Sequence, residues 1–216
     1  MILVAGASGF VGRALLDDLA ARPETAGQLR ALVRSEFEGL RLRDHGIDAV
    51  TADVLTRRGL DGAMRGVETL VYLVHTLDRR GDVVANDVEA IQNTMIAARA
   101  AGVQRVIFLG CVAADEAAES RYLLARWAVE LAVRQSGLRH VILRAPLIVG
   151  RGGTLFELLR RSVDRSPVVP LFAWRRTPSE PVALADVIEA LRMAVLDLEL
   201  DGRSFDICGG PKAKPA

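Results

Sequence analysis

The chain has 216 residues and a formal net charge of +1, with half of its residues hydrophobic and a quarter charged. These values suit one globular domain with its own core, and they argue against a nucleic acid or an anionic membrane as partner. No apolar run reaches the length of a membrane span, and no His, Cys or carboxylate cluster has metal-ligand spacing. We therefore expect a cytoplasmic protein without a metal, in which Cys111 and Cys208 are buried thiols.

The first twelve residues carry the strongest functional signal. An apolar strand pattern leads into Gly6, Gly9 and Gly12, and a helical pattern follows directly. Glycines let the backbone approach a ligand closely, and a helix N-terminus offers unpaired N–H groups and the positive end of its dipole. This combination predicts a binding site for a pyrophosphate.

Strand and helix patterns alternate through the next 130 or so residues, a spacing typical of βαβ units. Further strands are predicted over residues 29–33, 47–52, 67–74, 103–109 and 140–144, and helices over 10–21, 36–44, 82–101 and 120–135. Helical crossovers imply parallel strands, and right-handed crossovers give a Rossmann-type doubly wound sheet of order 3-2-1-4-5-6 with helices on both faces. Ligands bind such sheets beyond the carboxyl ends of the strands.

The pattern changes after Gly150, where glycines and prolines mark loops and short elements. A helix is predicted over 183–196 and a last short strand over 202–207. We expect a core domain over residues 1–150, a small C-terminal substrate lobe over 151–211 packed on that core, and a frayed tail over 212–216.

Several segments resemble the extended and atypical short-chain dehydrogenase/reductase family. Residues 6–12 have its GxxGxxG spacing, Asp53-Val54 resembles its adenine contact, and residues 143–150 (LRAPLIVG) and 181–187 (PVALADV) resemble two of its later stretches. Residues 72–76 (YLVHT) are most similar to the NAD(P)H-binding or NmrA-like subgroup. The resemblance covers nearly the whole chain and implies a nicotinamide dinucleotide as cofactor.

The resemblance and the strand-end rule together give the expected cofactor contacts. These are Gly6, Ser8, Gly9, Phe10, Val11, Gly12, Arg13, Arg34, Ser35, Asp53, Val54, Leu73, Val74, His75, Pro146, Leu147 and Ile148.

Charge at the end of the second strand favours NADP over NAD, although NAD stays possible. An acid there usually holds the ribose 2′-hydroxyl, whereas this chain has Arg34 and Ser35. A guanidinium suits a 2′-phosphate, and Arg13 could reach the same group. The alternative is that Arg34 stacks on adenine or faces solvent.

Catalysis in the resembled family depends on a Tyr-x-x-x-Lys pair, in which lysine assists a tyrosine that exchanges a proton with substrate. Tyr122 and Arg126 have this spacing, but arginine replaces lysine. The family's serine or threonine after the fifth strand is missing, with Gly110-Cys111-Val112 in its place, and Asp87 replaces the family's asparagine. The alternative for Tyr122 is a structural tyrosine. His75 follows the fourth strand and is either a proton donor or a structural histidine.

Three functions are compatible with these residues. The first is an NADP(H)-dependent reductase of a small carbonyl or quinone-like substrate, with Tyr122 as acid and Arg126 as its ribose and charge partner. The second is a non-enzymatic redox sensor or cofactor-carrying subunit. The third, a nucleotide-sugar epimerase or dehydratase, needs a larger lobe than the stretch after Gly150 provides. The substrate is not predicted, and the chain is expected to be a monomer or a homodimer.

Overall fold

A computed structural model describes residues 1–77, 79–165 and 180–209 of the chain. Its centre is a seven-stranded sheet of order β3-β2-β1-β4-β5-β6-β9 in which every neighbouring pair is parallel. The strands of this sheet are β1 (Ile2–Ala5), β2 (Leu29–Val33), β3 (Asp48–Thr51), β4 (Thr69–Tyr72), β5 (Arg105–Cys111), β6 (Arg139–Ala145) and β9 (Ser204–Asp206). A second, two-stranded sheet pairs β7 (Ile148–Val149) with β8 (Val182–Ala183).

Helices cover both faces of the main sheet. They are α1 (Phe10–Ala20), α2 (Glu36–Asp44), α3 (Leu60–Ala63), α4 (Val83–Ala100), α5 (Arg121–Arg134), α6 (Thr154–Arg165) and α7 (Leu184–Leu196), and a 3-10 helix spans Leu198–Leu200. Alternate residues of β1 show the division into layers: Leu3 packs with α3, α4 and α5, whereas Val4 packs with α1 and α7. Strands buried on both sides in this way read as continuous apolar runs, which is why the sequence predicts them.

The predicted strand order 3-2-1-4-5-6 and the doubly wound class are confirmed. The predicted last strand exists as β9, and it extends the main sheet beside β6. α7 packs on α1, so the segment after residue 180 contributes to both the sheet and one helical layer.

The boundaries of β4 and β5 each differ from the prediction by two residues at both ends. β5 begins at Arg105 rather than residue 103, because the Val103 N–H bonds to the Ala98 carbonyl at the end of α4. It also continues to Cys111, so this thiol lies at the strand end rather than beyond it. β4 is shorter than predicted, because Val67 still bonds to Met64 in the preceding turn.

The expected tail over 212–216 and three of the predicted loop prolines, Pro167, Pro170 and Pro178, lie outside the described residues. Of the helices in the described ranges, none is both long enough and apolar enough to cross a membrane. The prediction that both cysteines are buried is wrong for Cys208, which is exposed close to the end of the described chain.

Candidate functional site

The turn between β1 and α1 has a shape that only glycine permits at two positions. Gly6 has a φ of +88°, a left-handed conformation that strains other residues. A Cβ on Gly12 would lie 2.2 Å from the Gly6 carbonyl oxygen, so α1 can pack against the turn only without a side chain there. The backbone of this turn therefore requires glycine at positions 6 and 12.

The first turn of α1 is open to a ligand. Gly9 is its N-cap and supplies no side-chain hydrogen bond. The first hydrogen bond within the helix runs from the Arg13 N–H to the Gly9 carbonyl. The N–H groups of Phe10, Val11 and Gly12 come before it and therefore have no acceptor within the helix. No acidic residue occupies this turn. Such a helix end favours an anionic group.

Two cavities flank the turn at the carboxyl ends of the strands. The β3-side cavity has a volume of about 350 Å³ and the β6-side cavity about 450 Å³. Both are lined by Gly6, Gly9, Leu73 and His75, so they meet at the glycine turn. This junction lies between β1 and β4, where the strand order reverses and where doubly wound sheets bind their ligands.

Most of the predicted contacts line these cavities. Ser8, Arg34, Asp53, Val54 and Val74 line the β3-side cavity, and Phe10, Val11, Gly12, Tyr122, Arg126, Pro146, Leu147 and Ile148 line the β6-side cavity. Arg13 and Ser35 line neither. Ser35 is the exposed N-cap of α2, and Arg13 borders a smaller cavity of about 160 Å³ behind the turn.

Polar groups at the β3-side cavity are strongly organised around Asp53. Its carboxylate accepts hydrogen bonds from the Leu55 N–H at 2.8 Å and the Thr56 N–H at 3.3 Å, and Arg79 Nη2 lies 3.0 Å away. Burial raises the pKa of Asp53, but these hydrogen bonds and the Arg79 charge outweigh it, so the pKa falls below its usual value. Asp53 is therefore an anion that already has a cationic partner.

The two arginines expected near a 2′-phosphate occupy different environments. Arg34 borders the β3-side cavity together with Arg79. Arg13 instead forms an ion pair with Glu38 of α2, with an N–O distance of 3.3 Å. Glu38 therefore holds Arg13 away from the β3-side cavity, whereas Arg34 and the Arg79–Asp53 ion pair line that cavity.

The β6-side cavity contains the predicted catalytic pair. Tyr122 lies in the first turn of α5, and the Arg126 guanidinium carbon is 6.0 Å from the centroid of its ring. Arg126 is buried: Nη1 donates to the Val74 carbonyl at 2.9 Å, and Nη2 donates to the Asp87 carboxylate. Spacing on α5 thus brings the pair together, while both terminal nitrogens of Arg126 bind protein groups.

Burial raises the pKa of Tyr122, and the positive charge of Arg126 opposes that rise. Burial likewise raises the pKa of the half-buried Cys111 thiol, again opposed by Arg126. At neutral pH both groups therefore carry their protons, and Tyr122 has the protonation state of a general acid.

Sequence reasoning did not single out Thr76 and Arg79, which border the β3-side cavity. Both follow β4, so the strand-end rule could have indicated them. It also treated Asp87 only as a departure from the family and gave it no partner. The ion pair of Asp87 with Arg126 joins α4 to α5, and no local sequence pattern predicts it.

The residues present fit a dinucleotide. The glycine turn is uncapped, and two buried polar atoms of cavity-lining residues, Thr76 Oγ1 and Arg126 Nε, have no hydrogen-bond partner among the described residues. Buried polar atoms are rarely left unpaired, so such atoms are available to a ligand. No group of His, Cys and carboxylate side chains in the described ranges could hold a metal ion.

Sequence comparison gives related proteins. The profile of the NAD(P)H-binding family matches residues 6–166. A ceramide reductase of Caulobacter vibrioides is 33% identical over 175 residues, which are 80% of this chain and 54% of that protein. A (4-alkanoyl-5-oxo-2,5-dihydrofuran-3-yl)methyl phosphate reductase of Streptomyces griseus is 36% identical over 145 residues, which are 67% of this chain and 46% of that protein. The chain thus spans about half the length of these two reductases.

Solved structures show the same fold. The triphenylmethane reductase of Citrobacter sp., complexed with NADP(H), superposes with a TM-score of 0.78 at 24% identity. The matched region is 96% of this chain and 70% of the reductase. A dTDP-glucose 4,6-dehydratase of Streptomyces venezuelae, with NAD bound, superposes with a TM-score of 0.80 at 18% identity. The matched region is 98% of this chain and 76% of the dehydratase. The fold is therefore shared by proteins whose names indicate different chemistry.

Proposed function

Because the chain belongs to the NAD(P)H-binding family, we propose that it is an NADP(H)-dependent reductase of a small carbonyl or quinone-like substrate. One observation carries this proposal: Tyr122 lies in the cavity that meets the glycine turn, so a proton donor and the dinucleotide site share one groove. The two related proteins named as reductases support the reaction class.

The glycine turn and α1 would hold the pyrophosphate through backbone N–H groups. Asp53 and Val54 would contact the adenine end, and Pro146, Leu147 and Ile148 the nicotinamide end. Both sets line the cavity on the corresponding side of the turn.

We favour NADP over NAD because Arg34 lines the β3-side cavity directly after β2, where an NAD-specific site usually has an acid. The 3.3 Å pair between Arg13 and Glu38 limits the part that Arg13 can take. If Arg13 also contacts the 2′-phosphate, it must first leave Glu38.

A bound nicotinamide cofactor supplies a hydride. This chain would provide the proton and the cavity in which the substrate binds. Tyr122 would donate its phenolic proton to the substrate oxygen as that oxygen gains charge, and a proton from solvent would restore the phenol. The buried positive charge of Arg126 stabilises the phenolate that forms for a moment. Cys111 borders the same cavity.

A second function, a non-enzymatic NAD(P)H-binding sensor or cofactor-carrying subunit, is favoured by one observation. Both terminal nitrogens of Arg126 bind Val74 and Asp87, which leaves them engaged away from a ribose. In that case the dinucleotide would bind without turnover.

NADPH oxidation against a panel of aldehydes, ketones and quinones tests the proposal and separates the two functions. Turnover that falls by roughly a hundredfold in Tyr122→Phe, with unchanged NADPH affinity, supports the reductase. Tight NADPH binding with no turnover across the panel supports the sensor or subunit. Turnover that is equal in Tyr122→Phe contradicts the role of Tyr122.

A further inference from the structure

Arg126 and Asp87 form an ion pair in the protein interior. The Arg126 side chain is 3% exposed and that of Asp87 is 1% exposed. A charge at such depth is tolerated only with a counter-charge and hydrogen bonds around it. The pair connects α5, which carries Tyr122, to α4.

The pair is also bound to the segment that follows β4. Asp87 accepts a hydrogen bond from the Thr76 N–H at 2.8 Å, and Arg126 donates to the Val74 carbonyl at 2.9 Å. The guanidinium carbon of Arg126 therefore has a fixed place, 6.0 Å from the Tyr122 ring centroid and 5.6 Å from that of Phe108.

We propose that Asp87 is a positioning residue for Tyr122: it holds Arg126 beside the phenol and offsets part of the guanidinium charge that acts on the hydroxyl. The proposal rests on the proposed role of Tyr122 as proton donor. Without Asp87, the full charge of Arg126 would act on the phenol and lower the pKa of Tyr122.

Several ionisable groups surround Tyr122. Arg126 faces it from its own helix, Asp87 from α4 and Cys111 from β5, and His75 of the loop after β4 lines the same cavity. After burial, the Arg126 charge has the largest influence and lowers the pKa of Tyr122, while Cys111 and Asp87 raise it. The two members of the ion pair thus act on the phenol with opposite signs.

The chain offers a direct measurement of Tyr122, because it contains two tyrosines. Tyr72 is fully buried, and burial raises its pKa further than that of Tyr122, so Tyr122 ionises at the lower pH. Tyrosinate absorbance followed against pH therefore reports Tyr122 first. Its absence in Tyr122→Phe identifies the transition.

Four variants test the charge balance. Asp87→Asn should move the Tyr122 midpoint to lower pH, and Arg126→Gln should move it to higher pH by about one unit. The double variant Asp87→Asn/Arg126→Gln should return to within about half a unit of the unmodified chain, since both charges leave together. Asp82→Asn is the matched control: Asp82 pairs with Arg121 across the same two helices, but the pair is exposed and solvent screens it.

Opposite shifts that cancel in the double variant support the proposal, since a purely structural role would not produce them. An unmoved midpoint in Asp87→Asn, or single variants that shift in one direction, would overturn it. If a single variant does not fold, the double variant decides alone. A Tyr122 midpoint more than about one pH unit from that of the unmodified chain would contradict the idea that Asp87 offsets the charge of Arg126. NADPH titration of the unmodified chain is the separate test of the proposed function, because the tyrosinate measurement needs neither cofactor nor substrate.

Discussion

Arg144 holds Glu130 with two hydrogen bonds, from Nη2 to Oε1 at 2.6 Å and from Nε to Oε2 at 2.8 Å. Arg144 lies in β6, which leads into the Pro146–Ile148 wall of the β6-side cavity, and Glu130 lies two turns after Tyr122 in the same helix. This bidentate pair therefore fixes the helix that carries Tyr122 against the strand that leads into the Pro146–Ile148 segment.

Glu130→Gln should cost about 2 kcal/mol of unfolding free energy at neutral pH, because it removes the carboxylate that accepts from Arg134 and leaves Arg144 with the longer contact to Asp206. Burial raises the pKa of Glu130, but these two arginines outweigh it and hold the pKa below its usual value. The carboxylate thus stabilises the fold above the unfolded pKa of about 4.3, and this contribution is lost as pH falls through the folded pKa.

Urea unfolding across this range is the measurement. The difference between the unmodified chain and Glu130→Gln should narrow as the pH falls below about 4. Glu89→Gln, at an exposed site of α4, is the control and should change stability by no more than about 0.5 kcal/mol. A difference in unfolding free energy that stays constant with pH would show that the charge of Glu130 does not stabilise the contact.

Cys111 offers a probe of the β6-side cavity that does not depend on turnover. In a Cys208→Ser background Cys111 is the remaining thiol, and iodoacetamide should modify it slowly because burial raises its pKa. NADPH at about ten times its Kd should slow the reaction about tenfold, since the nicotinamide half would exclude the reagent. In the reciprocal Cys111→Ser chain, alkylation of the exposed Cys208 should not respond to NADPH. Equal Cys111 rates with and without NADPH would mean that the ligand does not enter this cavity.

Arg34→Ala tests the choice of cofactor. Loss of a charged hydrogen-bond donor to the 2′-phosphate should weaken NADPH binding roughly tenfold and NADH binding less than about twofold. Arg99→Ala, an exposed arginine on α4, is the matched control. Calorimetric titration with each dinucleotide is the measurement. Equal weakening for both would instead identify Arg34 as a contact to adenine, the alternative that the sequence leaves open.

Much of the fold could be predicted because its determinants are local. Gly6 and Gly12 sit where a side chain is excluded, and strands such as β5 carry apolar residues on both faces. The site was predictable to the extent that it follows strand ends, as Asp53 and His75 do. Contacts between elements distant in sequence were not predictable: Asp87 with Arg126, Asp53 with Arg79 and Glu130 with Arg144 depend on how helices and loops pack.

The most direct measurement is calorimetric binding of NADPH to the chain and to Gly9→Asp. A Cβ at Gly9 would lie 3.1 Å from the Gly6 carbonyl oxygen, so the turn must shift by a few tenths of an ångström, and aspartate is a favoured N-cap residue that the helix accepts. Its carboxylate would bond the first N–H groups of α1 and repel a pyrophosphate. The account predicts binding by the unmodified chain, a loss on the order of a hundredfold in Gly9→Asp, and a change below about twofold in Gly62→Asp, which adds the same charge to α3. No heat of binding with NADPH or NADH, or equal affinity in Gly9→Asp, would contradict it.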